Sequence, residues 1–247
     1  MSGHSKWHSI RHQKGVADAR RGKLFTKLTK EIIVAVRQGG SNPDMNPRLR
    51  LAVQRARDSR MPSDNIERAI KRGSGDLGGA SLIEMVLEGY GPHGVAILIK
   101  ALTDNRNRTV QEIRNIFTRS GGNLGESGSV AWLFDSRGLI LLETGNLDAD
   151  EIALQSIDAG AEDIKSEGNY MEIYTKPEDL ESVREKLEEG NITISSSELS
   201  MVPKNTINLD EKAAVQVLKL LDRLEQMDEV QGVSSNADFP DTILESY

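Results

Sequence analysis

The stretch GLILLETGNLDADEIALQSIDAGAEDIKSEGNYMEIYTKPEDLESVREKLEEGNITISSSELSMV, residues 138–202, decides the fold of this chain. Its apolar pattern changes period along the way. Gly138 to Glu143 is a short aliphatic run of strand type, while 148–158 repeats at helical spacing. Strands near 162–175, a helix over 177–189 and a strand over 192–202 follow. The order βαββαβ is ferredoxin-like. Upstream, Val86 to Glu88 and Val95 to Leu102 read as a hairpin across Gly89-Tyr-Gly-Pro-His-Gly94, followed by a helix from about Thr109 to Arg119. Ser129 to Phe134 reads as a further strand, parted from Gly138 by a turn at Asp135-Ser-Arg-Gly138. Downstream, a helix spans about 210–227 and a strand Glu229 to Ser234. These flanking elements suit a second α/β domain, made of 80–135 and 205–247, into which 136–204 is inserted.

The first 75 residues differ in kind. They hold 17 Lys and Arg against 6 Asp and Glu, a balance of +11. The whole chain has 31 basic and 38 acidic residues, so 76–247 keeps 14 basic and 32 acidic, a balance of −18. A basic module is fused to an acidic one. Leu24, Phe25, Leu28, Ile32, Ile33 and Val36 recur at helical spacing, with Lys23, Lys27 and Lys30 across the wheel. On that wheel, changing the three lysines to glutamate leaves the helical core intact. Gly39-Gly40 ends this helix, and Asn46-Pro47 opens a second, an N-cap followed by proline at the first helical position. The second helix buries Leu49, Ala52, Val53 and Ala56 and displays Arg48, Arg50, Arg55, Arg57 and Arg60. Met61-Pro62 ends it. Ser63 or Asp64 caps a third helix, Asp64 and Glu67 having capping-box spacing. The fold class is thus α+β: a three-helix basic domain over 1–75, then two α/β domains.

Composition excludes several chemistries. Cysteine is absent from the 247 residues, which removes disulfides, thiolate metal sites and thiol nucleophiles. No aliphatic run is longer than Val95 to Ile99, far short of a membrane span. Residues 1–17 are basic but lack an apolar stripe or secretory core, so cytoplasm is the expected compartment. Gly73-Ser-Gly75-Asp-Leu-Gly78 spells GxGxxG, but a helix precedes it where the dinucleotide fingerprint needs a strand. It reads as a hinge. His4, His8 and His12 lie four apart in a basic arm with no carboxylate nearby, which favours anion contact over metal binding. Asp104-Asn-Arg-Asn-Arg-Thr109 sits at a strand-to-helix junction and reads as a cap, with Arg106 and Arg108 as a possible second contact to phosphate. No partnered nucleophile and base is evident, so no enzyme, cofactor or metal is expected.

The basic side of the first module carries the functional reading. Lys6, Trp7, Arg11, Lys14, Arg20, Arg21, Lys23, Lys27, Lys30, Arg48, Arg50 and Arg55 form an electrostatic footprint for phosphates. With only Trp7 and Phe25 as aromatics there, base-stacking platforms are disfavoured.

Gly3-His-Ser-Lys-Trp7, Lys23-Leu-Phe-Thr-Lys-Leu28, Asn46-Pro-Arg-Leu-Arg50 and Met61-Pro-Ser-Asp-Asn-Ile-Glu-Arg-Ala-Ile70 resemble the YebC/PmpR family. So do Glu88-Gly-Tyr-Gly-Pro92, Thr103-Asp-Asn-Arg-Asn-Arg-Thr109 and Gly121-Gly-Asn-Leu-Gly125, and the resemblance runs nearly end to end. It implies a helical basic domain and two α/β domains. It also implies a cytoplasmic DNA-binding transcriptional regulator; other family members are described as acting on the ribosome, some relieving stalls at proline runs. By position, Gly3 to Trp7 corresponds to the tip of the arm, and Lys23, Lys27 and Lys30 to a backbone-binding face. The expected partner is therefore DNA, with ribosomal or transfer RNA as the alternative. Ribosomal proteins are candidates for the acidic domains, and the chain is expected to be a monomer.

Overall fold

The computed structural model describes residues 18–75, 81–145, 148–240 and 242–243. Three helices come first: α1 (Asp18–Gly39), α2 (Pro47–Asp58) and α3 (Ser63–Gly73). Then follow β1 (Ile83–Tyr90), β2 (Ala96–Thr103), α4 (Arg106–Arg119), β3 (Asn123–Leu124) and β4 (Phe134–Glu143). The chain continues through α5 (Ala149–Ala159), β5 (Asp163–Glu167), β6 (Tyr170–Thr175), α6 (Leu180–Glu189) and β7 (Ile194–Pro203). It closes with β8 (Ile207–Asn208), α7 (Glu211–Glu225), β9 (Val230–Ser235) and β10 (Ala237–Asp238). The fold is α+β.

The helices pack Leu28, Ile32 and Val36 of α1 onto Leu49, Val53 and Ala56 of α2 and Ile66 of α3. One buried side chain organises the first corner. The Asn46 Oδ1 accepts the Leu49 N–H at 3.0 Å, capping α2. Its amide donates to the carbonyls of Ala35 and Gly40, both at 2.8 Å, and so closes α1. The third helix starts differently from expectation. It is helical from Ser63, and Pro62 is its N-cap with no side-chain bond, so the Asp64–Glu67 box does not form. The Pro62 carbonyl instead accepts the N–H groups of Asn65 and Ile66.

The first sheet has the order β3-β1-β2-β9. One face packs Ile97, Ile99 and Val233 against Phe117 of α4 and Leu220 and Leu221 of α7, with Phe239 beyond β10 completing the core. The second sheet has the order β5-β6-β4-β7, and every neighbouring pair is antiparallel. α5 and α6 cover one face of it, closing on Ile140, Leu142, Met171 and Ile173. This is the βαββαβ arrangement that residues 138–202 announce.

A ribbon of the second sheet, β4 with β7, reaches the first. Residues 134–137, read as the end of one strand and a turn, belong to a continuous β4, and 131–133 is a single 3₁₀ turn. Pairing explains the correction: β7 runs alongside from Phe134↔Pro203 to Leu142↔Ile194. Gly138 is not a turn residue. A Cβ there would strike the side chains of Thr175 and Leu180, so the glycine makes room within the sheet. At the ribbon's base, Phe134 joins Ala96, Leu98 and Val130 on the far face of the first sheet.

That far face is held by one carboxylate. Glu88, 5% exposed in β1, accepts the N–H groups of Gly128 and Val130 at 2.7 Å and Ala131 at 2.8 Å. Burial alone pushes its pKa up, but the three backbone donors outweigh it and hold the group below the ordinary value of 4.5. The sign follows. Stability from Glu88 is present above the ordinary glutamate range and is lost as pH falls through the lower folded-state value.

The helical part docks on the first sheet through α1. Lys23 Nζ donates to the Gln226 carbonyl at 3.1 Å, Lys27 Nζ to that of Glu225 at 2.5 Å and Lys30 Nζ to that of Asp228 at 2.9 Å. The last carbonyls of α7 lack intrahelical donors and carry the negative end of its dipole. Three lysines on one α1 face satisfy them. The wheel places these lysines correctly opposite the apolar stripe, but what they face is this helix end.

Replacing Glu88 with Gln is expected to cost about 2 kcal/mol, because an amide turns a donor toward backbone donors. Thermal denaturation between pH 3 and 7 checks it. The midpoint should fall by roughly 4–8 °C at neutral pH, and the wild-type decline toward pH 3 should shrink in the variant. Lys23, Lys27 and Lys30 changed together to Glu should lower stability by about 2 kcal/mol in urea titration, since three anions then meet carbonyl dipoles. Unchanged stability would disprove the docking role.

Candidate nucleic-acid interface

The cations of α2 divide by whether a carboxylate meets them. Arg48 pairs with Glu84 of β1 through two bonds of 2.9 and 3.0 Å. Arg50 pairs with Glu181 of α6 through its Nε and, at 2.8 Å, a terminal nitrogen. Arg55 reaches Glu198 of β7 at 2.7 Å and Glu31 of α1 at 3.2 Å. The charges tune one another. The hydrogen bond from Arg48 holds the Glu84 carboxyl below the usual range against the opposing effect of burial. Glu198 raises the Arg55 pKa, burial opposes it and Glu31 adds to the rise.

One pair runs the other way. Asp58, the last residue of α2, accepts two bonds from Arg184 of α6, at 2.9 and 3.0 Å. Arg184 is 7% exposed and also contacts Glu188 and the Ser197 hydroxyl. Leu51 of α2 packs against the core of the second sheet between these charges. The seam encloses a cleft of about 520 Å³ with walls from the helical part and both sheets, Leu98, Leu102, Leu180 and Leu199 among them. Neither histidine nor cysteine lines it. Its arginines and most of its glutamates are already paired, which suits a structural joint better than a reaction centre.

The remaining cations of the helical part differ. Arg57 and Arg60 are exposed at the end of α2, as are Arg68, Lys71 and Arg72 on α3. None of the five has an ion pair among the described residues. On α3 the three cations fall within an arc of about 100°, opposite Ile66, Ala69 and Gly73. Gly73 is tight against α1, because a Cβ there would meet the Val36 side chain at 2.7 Å. Arg60 sits at φ 56°, the left-handed position after a helix where glycine is the usual residue. The Met61 N–H reaches back to the Ala56 carbonyl at 2.9 Å and closes the turn around it.

The sequence-derived residues are thus distributed unequally. Lys23, Lys27, Lys30, Arg48, Arg50 and Arg55 are engaged inside the chain, by α7 carbonyls or sheet carboxylates. Arg20 lies in the first turn of α1, and Arg21 is exposed there. Lys6, Trp7, Arg11 and Lys14, like His4, His8 and His12, lie outside the described residues. Arg106 and Arg108 are exposed at the start of α4, remote in sequence from the helical part. There, Asn105 caps the helix by accepting the Arg108 N–H at 3.1 Å, and Arg108 pairs with Asp104 at 2.8 Å. The Thr103 hydroxyl accepts from Asn105 and Thr109, both at 2.9 Å. The motif is absorbed by its own cap. Arg57, Arg60, Arg68, Lys71 and Arg72 were the ones a footprint drawn from sequence passed over. Their signal was the spacing of 68, 71 and 72 opposite an apolar face.

Comparison with known proteins agrees with this architecture. Residues 5–76 match the TACO1/YebC protein N-terminal domain, and residues 82–237 match the TACO1/YebC second and third domain. A probable transcriptional regulatory protein of Dehalococcoides mccartyi is 60% identical over 247 residues, 100% of this chain and 98% of the relative. One of Halothermothrix orenii is 54% identical over 248 residues, covering 99% of this chain and 98% of the relative. The crystal structure of a conserved hypothetical protein from Aquifex aeolicus superimposes with a TM-score of 0.85 at 47% identity, covering 91% of this chain and 93% of that one. Two matched segments and full-length relatives place the chain in one group: it belongs to the TACO1/YebC family.

Proposed function

We propose that this chain is a nucleic-acid-binding regulator of gene expression, a DNA-binding transcriptional regulatory protein of the kind its relatives are named. The phosphate contacts we assign are Arg57, Arg60, Arg68, Lys71 and Arg72 of the helical part, together with Arg21 and the arm residues Lys6, Trp7, Arg11 and Lys14. One observation carries this reading. Arg48, Arg50 and Arg55 have carboxylate partners while Arg57, Arg60, Arg68, Lys71 and Arg72 have none among the described residues, so their field remains available to a polyanion. Arg60 supports it further. A left-handed arginine costs roughly 1 kcal/mol relative to glycine, and a solvent-facing cation is what that position retains in exchange.

Catalysis has little support. Among the described residues, no three His, Asp or Glu side chains gather as a metal site would need, and Asp104 is committed to Arg108. The reading as a translation factor on ribosomal or transfer RNA draws on the acidic sheets, whose charge of the wrong sign for duplex flanks suits basic proteins.

Reversing Arg57 and Arg60, or Arg68, Lys71 and Arg72, to Glu is expected to weaken duplex binding at least about 10-fold while leaving circular dichroism unchanged. If about six phosphates are contacted, log affinity falls against log salt with a slope near −5, and each lost contact reduces that slope by about one. Arg60→Gly separates the two roles: stability should rise by about 0.5–1 kcal/mol while affinity falls. Selective retention of promoter DNA at about 150 mM salt against excess RNA supports transcription. Co-sedimentation with large ribosomal subunits, lost at high salt, supports translation. Unchanged affinity in both reversal variants refutes these contacts.

A further inference from the structure

The second sheet carries a face that nothing above uses. α5 buries Ile152, Ser156 and Ala159 toward the core. On the opposite side it exposes Leu154 by 64% and Ile157 by 58%. A lone exposed leucine is ordinary. Two large aliphatic side chains at i and i+3 form one ridge. At 100° per residue, Ile157, Asp150, Leu154, Asp158 and Glu151 fall in that order within an arc of about 120°. The ridge is therefore set among three exposed carboxylates, and no Lys or Arg occurs on α5. Of the cations of α6, Lys186 donates to the Ala159 carbonyl at 3.0 Å and Arg184 pairs with Asp58.

We propose that the outer face of α5 is a docking surface for a protein partner through an amphipathic segment bearing lysine or arginine. The inference goes beyond the nucleic-acid reading and does not rest on it. Aliphatic side chains of the partner cover Leu154 and Ile157, and its cations meet Asp150, Glu151 and Asp158 at the rim. Charge decides against other occupants. A nucleic acid would bring phosphates against three carboxylates. A second copy in a two-fold arrangement would set each acidic rim against itself.

The test uses the full chain and a synthetic peptide of about 18 residues, five helical turns, containing only Leu and Lys in amphipathic order. A Lys/Ser peptide of equal charge and a Leu/Glu peptide serve as controls. Titration calorimetry is expected to show saturable binding of the Leu/Lys peptide alone. The pair Leu154→Ser and Ile157→Ser, and separately the trio Asp150→Asn, Glu151→Gln and Asp158→Asn, should each weaken it at least about 10-fold. Both sets lie on exposed positions, so nucleic-acid affinity should not move; the thermal midpoint should hold for the serine pair and drop only slightly for the trio, which removes two acidic groups from the first turn of α5. Equal binding by the variants, or equal binding of the Lys/Ser peptide, overturns the proposal. A concentration-dependent dimer in sedimentation that Leu154→Ser and Ile157→Ser dissolve also overturns it, by assigning the face to a second copy.

Discussion

A guanidinium taken out of water fixes how the helical part meets the sheets. Arg184 is buried between α2 and the second sheet, and its charge is tolerable there only because Asp58 returns two hydrogen bonds and Glu188 and Ser197 satisfy the rest. Removing one partner of such a pair leaves an uncompensated buried charge, typically worth about 3–5 kcal/mol. That penalty selects one orientation of α2. The half-exposed pairs Arg48–Glu84 and Arg50–Glu181 contribute little energy each, yet they fall into register once Asp58 is seated. Leu51 then closes the space between them.

The same constraint sorts the basic residues by role. A helix that buries one stripe must show the remainder of its circumference. Where that remainder meets the sheets, Arg48, Arg50 and Arg55 each find a carboxylate. Arg57 and Arg60, like the cations of α3, are exposed and have no ion pair among the described residues. A strongly basic module next to a strongly acidic one is therefore neutralised along the joint and not throughout.

Much of this was legible in the amino-acid order. Residues 138–202 announce their four strands and two helices because periods of two and 3.6 are imposed by burial on one face. Asn46-Pro47 marks a helix start because the cap and the proline each satisfy a local need. What local reading missed depended on distant partners. Asp135-Ser-Arg-Gly138 has the composition of a turn, and only pairing with Met201 and Val202 makes it strand. Glu88 reads only as part of a hairpin strand, and the return of the chain at Gly128 to Ala131 is what buries it. The same limit applies to the basic residues of the helical part. Lys23, Lys27 and Lys30 are placed on the correct face of α1, but periodicity cannot say that the end of α7 lies against that face. Nothing local says that Glu198 answers Arg55 while Arg57 meets no carboxylate among the described residues.

The β4–β7 ribbon has an implication for how this architecture is assembled. Phe134 and Pro203 face each other as cross-strand partners, so their Cα atoms lie only about 5 Å apart. Seen from the first sheet, everything between them is a hairpin with an overgrown tip. Such a graft leaves its host's chain path closed at the root, and a tight two-residue loop would span the same gap. The stem behaves like a socket: what is carried at its end can be exchanged wholesale without rethreading what lies beneath.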